Sequence, residues 1–151
     1  MAVLYFLCGI QGAGKTTFAF NNYQRLNATI ISTDEIRKKY VQIEEKDVFP
    51  TAYKLIGELL NNGQNVIFDA TNITKKVRNR HISNIKEELN TNIKIICYLF
   101  KTNLDECINR VNLRNKDKDA LYLPLEVITS YYNNFQDPSL DEGFDEIIII
   151  K

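Results

Sequence analysis

A glycine-rich segment near the start of the sequence has residue types that can bind phosphate groups. Residues 9–16 read GIQGAGKT, which fits the pattern GxxxxGK[ST], and they lie between an apolar run and a segment with helical spacing. Glycines let the backbone turn so that successive N–H groups and a helix N-terminus point toward negative charge. We therefore predict that a nucleoside triphosphate, ATP or GTP, binds here. The residues expected to contact it are Gly9, Gln11, Gly12, Ala13, Gly14, Lys15, Thr16 and Thr17.

Two side chains are candidates to hold Mg²⁺ beside these phosphates. Lys15 would reach the β- and γ-phosphates, while the hydroxyl group of Thr16 would bind the metal ion. Residues 66–72 read VIFDATN, so an apolar run ends at the carboxylate of Asp69. Asp69 would bind the ion through a water molecule. The alternative is that Asp69 only caps the turn that follows it.

A carboxylate and a guanidinium group follow the second apolar run. Residues 32–37 read STDEIR, which places Asp34 and Arg37 one helical turn apart. An acceptor hydroxyl needs a carboxylate to orient it and to take its proton, and Asp34 is the candidate. Arg37 could hold an anionic group of the substrate. The alternative is that Asp34 complements the helix dipole and pairs with Arg37.

Two arginines near the end of a later helical segment could stabilise charge on a transferred phosphoryl group. Arg110 and Arg114 are four residues apart, so their side chains project from one helix face. They point toward the polar residues 115–122, a candidate mobile loop over the site. Arginines at a helix C-terminus also occur without any function, so each remains open to that interpretation.

An alternation of short apolar runs and longer amphipathic segments must bring these side chains together. Such alternation is typical of βαβ units, whose parallel strands present ligand-binding loops at their carboxyl ends. The pattern predicts an α/β fold with a five-stranded, mostly parallel sheet flanked by helices. Strands are predicted at residues 3–8, 28–31, 65–68, 93–99 and 146–150. Helices are predicted at residues 15–22, 33–40, 48–60, 75–89, 104–113 and 125–135.

Length and composition limit the class of protein. The chain has 151 residues, of which 44% are hydrophobic and 25% are charged, so we expect a single globular domain over residues 1–151. No apolar run approaches the roughly 20 residues that span a bilayer. With three widely spaced cysteines, the chain gives no sign of a disulfide framework. A cytoplasmic protein without membrane contact is expected.

Charge gives little support for binding a long nucleic acid. The formal net charge is zero, so no global positive field attracts a polyanion. The one basic cluster is interpreted as the solvated face of a helix, with the histidine at the surface. Its members are Lys75, Lys76, Arg78, Arg80 and His81.

Taken together, the motifs resemble the P-loop polynucleotide kinase family and the related short ATP-binding kinases. The resemblance extends over nearly the whole chain. It includes the GIQGAGKT segment, the Asp-x-x-Arg pair, the DATN strand end, the paired arginines, and the C-terminal runs LPLEVI at residues 123–128 and EGFD at residues 142–145. It implies a P-loop NTPase kinase fold with a helical lid.

The resemblance also implies residue roles. ATP and Mg²⁺ would bind at Lys15 and Thr16, and Asp34 would be the general base for a 5′-hydroxyl group. Arg37 would contact the acceptor strand. Arg114 would be the lid arginine, with Arg110 in support.

Three functions stay open at this stage. The leading hypothesis is transfer of the ATP γ-phosphate to a 5′-hydroxyl end of RNA or DNA. A kinase of a small-molecule hydroxyl, such as a sugar, a nucleoside or an antibiotic, uses the same scaffold. The third is a non-catalytic nucleotide-binding module that reports its occupancy to a partner. The sequence does not indicate the oligomeric state.

Overall fold

The computed structural model describes residues 1–150, which form a single sheet with helices packed on both faces. The strands are β1 (Ala2–Cys8), β2 (Ala28–Ser32), β3 (Asn65–Asp69), β4 (Ile93–Phe100) and β5 (Glu146–Ile150). Their order in the sheet is β2-β3-β1-β4-β5, and each neighbouring pair is parallel. The predicted α/β class and all five predicted strands are confirmed.

Six α-helices connect these strands within residues 1–150. They are α1 (Lys15–Asn22), α2 (Thr33–Lys39), α3 (Glu45–Asn61), α4 (Lys75–Glu87), α5 (Leu104–Arg114) and α6 (Leu125–Asn134), followed by a short 3-10 turn, Leu140–Glu142. Every predicted helix exists, although α3 begins three residues before the predicted position 48. None of the helices in residues 1–150 combines the length and apolar character needed to cross a bilayer.

Strand β1 explains why the sheet is covered on both sides. Its side chains alternate in direction. Leu4 and Phe6 join the core under α3 and α4, whereas Tyr5 and Leu7 join the core under α1, α5 and α6. A parallel strand buried on both faces must be apolar at nearly every position. The run AVLYFLC meets that requirement.

The strand order also places the ligand-binding edge. From β1 the chain runs to β2 and β3 on one side, and then crosses to β4 and β5 on the other. Ligands bind outside the carboxyl ends of such a sheet, where the strand order reverses. The glycine-rich segment follows β1 at this point. Asp69 ends β3, and Ser32 at the end of β2 pairs in register with it.

The interpretation of α4 as a solvated basic face is wrong for two of its residues. Arg78 is 0% exposed and His81 is 3% exposed. The Nε of Arg78 donates to Glu142 at 2.7 Å, and its Nη1 donates to the carbonyl oxygen of Asn72 at 2.8 Å. These partners compensate the buried charge. The sequence pattern missed the pairing of Arg78 with Glu142 because Glu142 lies 64 residues away.

Candidate nucleotide and acceptor site

Two positions of the segment between β1 and α1 require glycine. Gly12 has a φ angle of +80°, and a Cβ atom there would lie 2.6 Å from the carbonyl oxygen of Cys107. Gly14 has a φ angle of +104° and directly precedes α1. No side chain in the described part of the molecule caps α1, so the N–H groups of its first turn remain available to phosphate oxygens.

The ammonium group of Lys15 lies inside this loop. The residue is 7% exposed, and its Nζ donates to the carbonyl oxygen of Ile10 at 2.8 Å. Burial lowers the pKa of Lys15, and the nearby carboxylates of Asp69 and Asp34 partly oppose that change. A buried cation beside a strand end is suited to neutralise phosphate charge.

A hydroxyl and a carboxylate face each other at the adjacent strand end. The Oγ1 of Thr16 donates to Oδ2 of Asp69 at 2.8 Å. Burial raises the pKa of Asp69, against the lowering effects of Lys15 and of the Thr16 hydrogen bond. One hydroxyl and one carboxylate fit Mg²⁺, which takes few protein ligands and keeps water and phosphate oxygens. Residues 1–150 contain no cluster of three or more His, Cys, Asp or Glu side chains able to hold a metal.

The predicted acceptor residues lie at the start of α2. Ser32 accepts a hydrogen bond from the N–H of Glu35 at 3.3 Å, which fixes the first turn that carries Asp34. The side chain of Asp34 is largely exposed. Ser32, two residues before Asp34, pairs in register with Asp69. Besides burial, the charge of Asp34 contributes to the raised pKa of Asp69.

Arg37 is already paired with two carboxylates. Its Nη1 donates to Asp34 at 2.9 Å. Its Nε and Nη2 donate to Glu45 at 3.1 to 3.2 Å and at 2.6 Å. The hydrogen bonds that Arg37 donates to Glu45, and then the negative charge of Glu45, hold the pKa of Arg37 above the usual value, despite burial. Sequence reasoning missed Glu45, because its helix was predicted to begin at residue 48.

The two arginines of α5 occupy different places. The Nη1 of Arg110 donates to the carbonyl oxygen of Gly12 at 3.0 Å, and its Nη2 donates to Glu106 at 2.6 Å. Both Arg110 and Arg114 line a cavity between α1 and α5. The charge of Arg114 acts against the burial that raises the pKa of Asp69. Arg110 therefore supports the phosphate-binding loop directly, and Arg114 does not.

A cavity of about 1030 Å³ extends from this loop between α1 and α5. It has the size of a ligand pocket for a small molecule. Residues from Gly12 to Thr17 contribute to its wall, as does the connection after β4. The side chain of Thr102, in that connection, donates to the carbonyl oxygen of Ala13 at 2.8 Å. No sequence motif had pointed to this wall, because the fold alone brings residues 100–103 beside the loop.

Two residues of the predicted phosphate-binding set lie elsewhere. Gly9 is buried beneath the loop, where its N–H donates to the carbonyl oxygen of Thr71 at 3.0 Å. Neither Gly9 nor Gln11 contributes to the cavity wall. The Oε1 of Gln11 is buried without a hydrogen-bond partner among residues 1–150. Their assignment to nucleotide binding stays a prediction.

Three solved structures share this fold along almost the full chain. Kti12 of Chaetomium thermophilum in complex with ADP-AlF3 has a TM-score of 0.74 at 16% identity, covering 97% of this chain and 88% of that one. A fungal RNA kinase has a TM-score of 0.71 at 21% identity, with 99% and 75% covered. A gluconokinase from Sinorhizobium meliloti 1021 has a TM-score of 0.59 at 15% identity, with 99% and 81% covered.

The sequence itself matches one family model. No curated protein matches it significantly. The model described as AAA domain matches residues 4–138, a span that includes the glycine-rich segment, the strand end at Asp69 and both arginines of α5. Together with the five-stranded parallel sheet, this match confirms the P-loop kinase fold. The chain therefore belongs to this AAA domain family of P-loop kinase domains.

Proposed function

We propose that this protein transfers the γ-phosphate of ATP to a 5′-hydroxyl end of RNA or DNA. Family membership implies nucleotide binding. The observation that carries the proposal is the placement of Asp34 at the start of α2. Asp34 follows β2, whose last residue, Ser32, pairs in register with Asp69, the expected metal ligand. The charge of Asp34 acts to raise the pKa of both Lys15 and Asp69. A carboxylate at this point suits a base that accepts the proton of an acceptor hydroxyl.

The other site residues have roles that follow from their surroundings. Lys15 and the N–H groups of α1 would neutralise the phosphates. Thr16 and Asp69 would hold Mg²⁺, which supplies charge stabilisation between the β- and γ-phosphates. Arg114 would face the transferred group, while Arg110 holds the loop at Gly12. Arg37 would bind an anionic group of the acceptor once Glu45 releases it.

A small-molecule kinase is the second candidate, and the Arg37–Glu45 pair favours it. With two carboxylates on its guanidinium group, Arg37 presents no unpaired charge to a backbone phosphate. A neutral polyol would not need one. The gluconokinase that shares the fold is 15% identical, so its likeness supports only the fold.

The decisive experiment is a transfer assay with γ-labelled ATP, Mg²⁺ and a short 5′-hydroxyl oligonucleotide. Wild type is compared with Asp34→Asn and with the control Glu35→Gln, an exposed carboxylate one residue further along α2. Label on the oligonucleotide from wild type and from the control, but not from Asp34→Asn, supports the proposal.

Other outcomes separate the alternatives. ATP binding without labelled oligonucleotide contradicts the proposal, and labelling of a sugar or nucleoside would then identify a small-molecule kinase. ATP binding without transfer to any hydroxyl would indicate a nucleotide-binding module if Asp34→Asn also leaves ATP binding unchanged.

A further inference from the structure

A groove of about 760 Å³ lies between α3 and α4, outside the nucleotide cavity. One end lies near Asp69 and Arg37, which belong to the proposed transfer site. It contains Thr71, which follows the strand of Asp69, and Glu45, which binds Arg37. The other end reaches Glu87 and Glu88 at the end of α4. An acceptor whose hydroxyl approaches Asp34 would therefore have its body at the mouth of this groove.

Aromatic rings form the part of the groove next to the reacting end. Glu45, Phe49 and Tyr53 follow one another at intervals of four, so they share one face of α3. The ring of Phe49 stacks on His81 of α4, with centroids 4.5 Å apart and planes 15° apart. Tyr131 of α6 adds a further ring to the wall. Phe49 and Tyr131 are only partly buried, so their rings remain accessible to a ligand.

The position of His81 is fixed by its neighbours. The hydroxyl group of Tyr53 and the Nδ1 of His81 form a hydrogen bond of 2.5 Å. Burial, followed by the charge of Arg80, lowers the pKa of His81 to about 4. The imidazole is therefore uncharged at neutral pH, and it acts as a flat ring that supports Phe49.

The charges around the groove cancel. Its cations are Lys46, Lys54 and Arg80, and its anions are Glu45, Glu87 and Glu88. A channel that follows a nucleic-acid backbone is lined with positive charge, and this groove is not. The aromatic part of the wall instead suits an aromatic ring, because base stacking on aromatic side chains needs no phosphate contact.

We propose that the groove between α3 and α4 binds the terminal nucleobase of the acceptor by stacking on Phe49 and Tyr131. The proposal rests on the proposed transfer to a 5′-hydroxyl end. Phe49 lies four residues, about 6 Å along the helix axis, beyond Glu45 and its contact with Arg37. The groove thus recognises the end of a nucleic-acid strand through the ring of the terminal base. Contacts along the nucleic-acid backbone are not required.

The test compares two short oligonucleotides that carry a 5′-hydroxyl group. One has an ordinary base at the terminal nucleotide, and the other has an abasic sugar there. Wild type should phosphorylate the first with a kcat/KM about 5- to 150-fold higher, the range that base–aromatic stacking supplies. Phe49→Leu keeps an apolar side chain in the core but removes the ring. It should lose most of this difference while leaving the abasic substrate unaffected.

Two additions make the result specific. Phe20→Leu is the matched control, because Phe20 is largely exposed on α1 and lies outside both cavities. A direct binding measurement uses the fluorescence of 2-aminopurine at the 5′-terminal position, which decreases when the base stacks. Wild type and Phe20→Leu should quench it, and Phe49→Leu should not.

The outcomes distinguish this proposal from the proposed function. Equal phosphorylation of both oligonucleotides by wild type would overturn the groove proposal and leave the kinase activity standing. An equal loss on both substrates in Phe49→Leu would also overturn it, because the effect of the ring would then not depend on the terminal base. Quenching that depends on Phe49, without any phosphorylation, would support the groove and contradict the kinase activity. Absence of quenching by wild type would contradict the groove in either case.

Discussion

The hydroxyl group of Thr16 donates a 2.8 Å hydrogen bond to the carboxylate of Asp69, which lies 53 residues later in the sequence. The bond joins the start of α1 to the end of β3 and defines the expected metal position. Asp69 is 6% exposed. Burial raises its pKa more than Lys15 and the Thr16 hydrogen bond lower it, so the folded protein disfavours the ionised carboxylate.

Asp69→Asn should therefore stabilise the protein in the absence of Mg²⁺ and nucleotide, while it lowers phosphoryl transfer. The amide oxygen can still accept the hydrogen bond from Thr16, but the desolvated charge is gone. We expect a higher thermal midpoint at pH 8 than in wild type. Differential scanning calorimetry would measure it.

The pH dependence of this gain has a definite sign. A carboxylate whose folded pKa is raised destabilises the fold increasingly as the pH rises above its unfolded pKa, and the penalty is complete above the folded pKa. The gain in Asp69→Asn should shrink as the pH falls toward 3.8, the ordinary value for the side chain. The exposed Asp119→Asn serves as the control. A midpoint at pH 8 that is equal to or below that of wild type would contradict the argument.

Glu45→Gln should improve the binding of an acceptor that carries a phosphate group. Glu45 occupies the Nε and Nη2 of Arg37, so an anionic acceptor must displace it. Exposed ion pairs contribute about 0.2–1 kcal/mol, which corresponds to a decrease in acceptor KM of up to about 5-fold. Steady-state kinetics with an oligonucleotide would measure the change.

The control for this prediction is Glu44→Gln, whose carboxylate pairs with Lys46 and not with Arg37. An acceptor without a phosphate should show no change in KM with either variant. If Glu45→Gln instead raises the KM of the oligonucleotide, Glu45 positions Arg37 for binding and does not compete with the acceptor.

Substitutions of the two arginines of α5 should affect different kinetic parameters. Arg114→Ala should lower kcat by about 10²-fold or more with little change in the KM for ATP, because on the proposed mechanism it removes charge that would face the transferred group. Arg110→Ala should mainly raise the KM for ATP, because Arg110 holds the loop through the carbonyl oxygen of Gly12. A kcat loss in Arg110→Ala that exceeds the loss in Arg114→Ala would reverse these roles.

Local pattern was sufficient for the strands, the helices and the phosphate-binding loop, because each depends on residues close together in sequence. Both the strand that precedes GIQGAGKT and the helix that follows it are visible in the sequence alone. The partners of Arg37 and Arg78 were not predictable in this way. Glu45 lies in a polar first turn that hides the start of α3, and Glu142 meets Arg78 only through the packing of α4 against the chain before β5.

His81 is a second example of a contact that the sequence pattern did not predict. A lone histidine among basic residues resembles a surface position, yet the helix faces the sheet there and buries the ring against Phe49 and Phe68. The groove beside it has no sequence signature, because its walls come from separate helices. Burial of a polar residue depends on which helix face meets the sheet, and the strongly charged α4 gave a weak indication of that face.

The Arg78–Glu142 pair should be a major contributor to stability. Both side chains are almost fully buried, and the guanidinium group also donates to the carbonyl oxygen of Asn72. Removing one partner leaves the other charge buried without compensation, at a cost of about 3–5 kcal/mol. Glu142→Gln should therefore shift the midpoint of urea denaturation strongly downward. The control Lys101→Met breaks an exposed pair with Asp137 and should cost less than about 1 kcal/mol.

A double variant tests whether the unpaired charge is the cause. Arg78→Met combined with Glu142→Leu removes both charges and fills the space with apolar atoms. Replacing a buried ion pair in this way is often neutral or stabilising, so the double variant should be more stable than either Arg78→Met or Glu142→Leu alone. Strictly additive losses would contradict this account. They would indicate that the two side chains stabilise the fold through separate contacts, such as the hydrogen bond from Arg78 to Asn72.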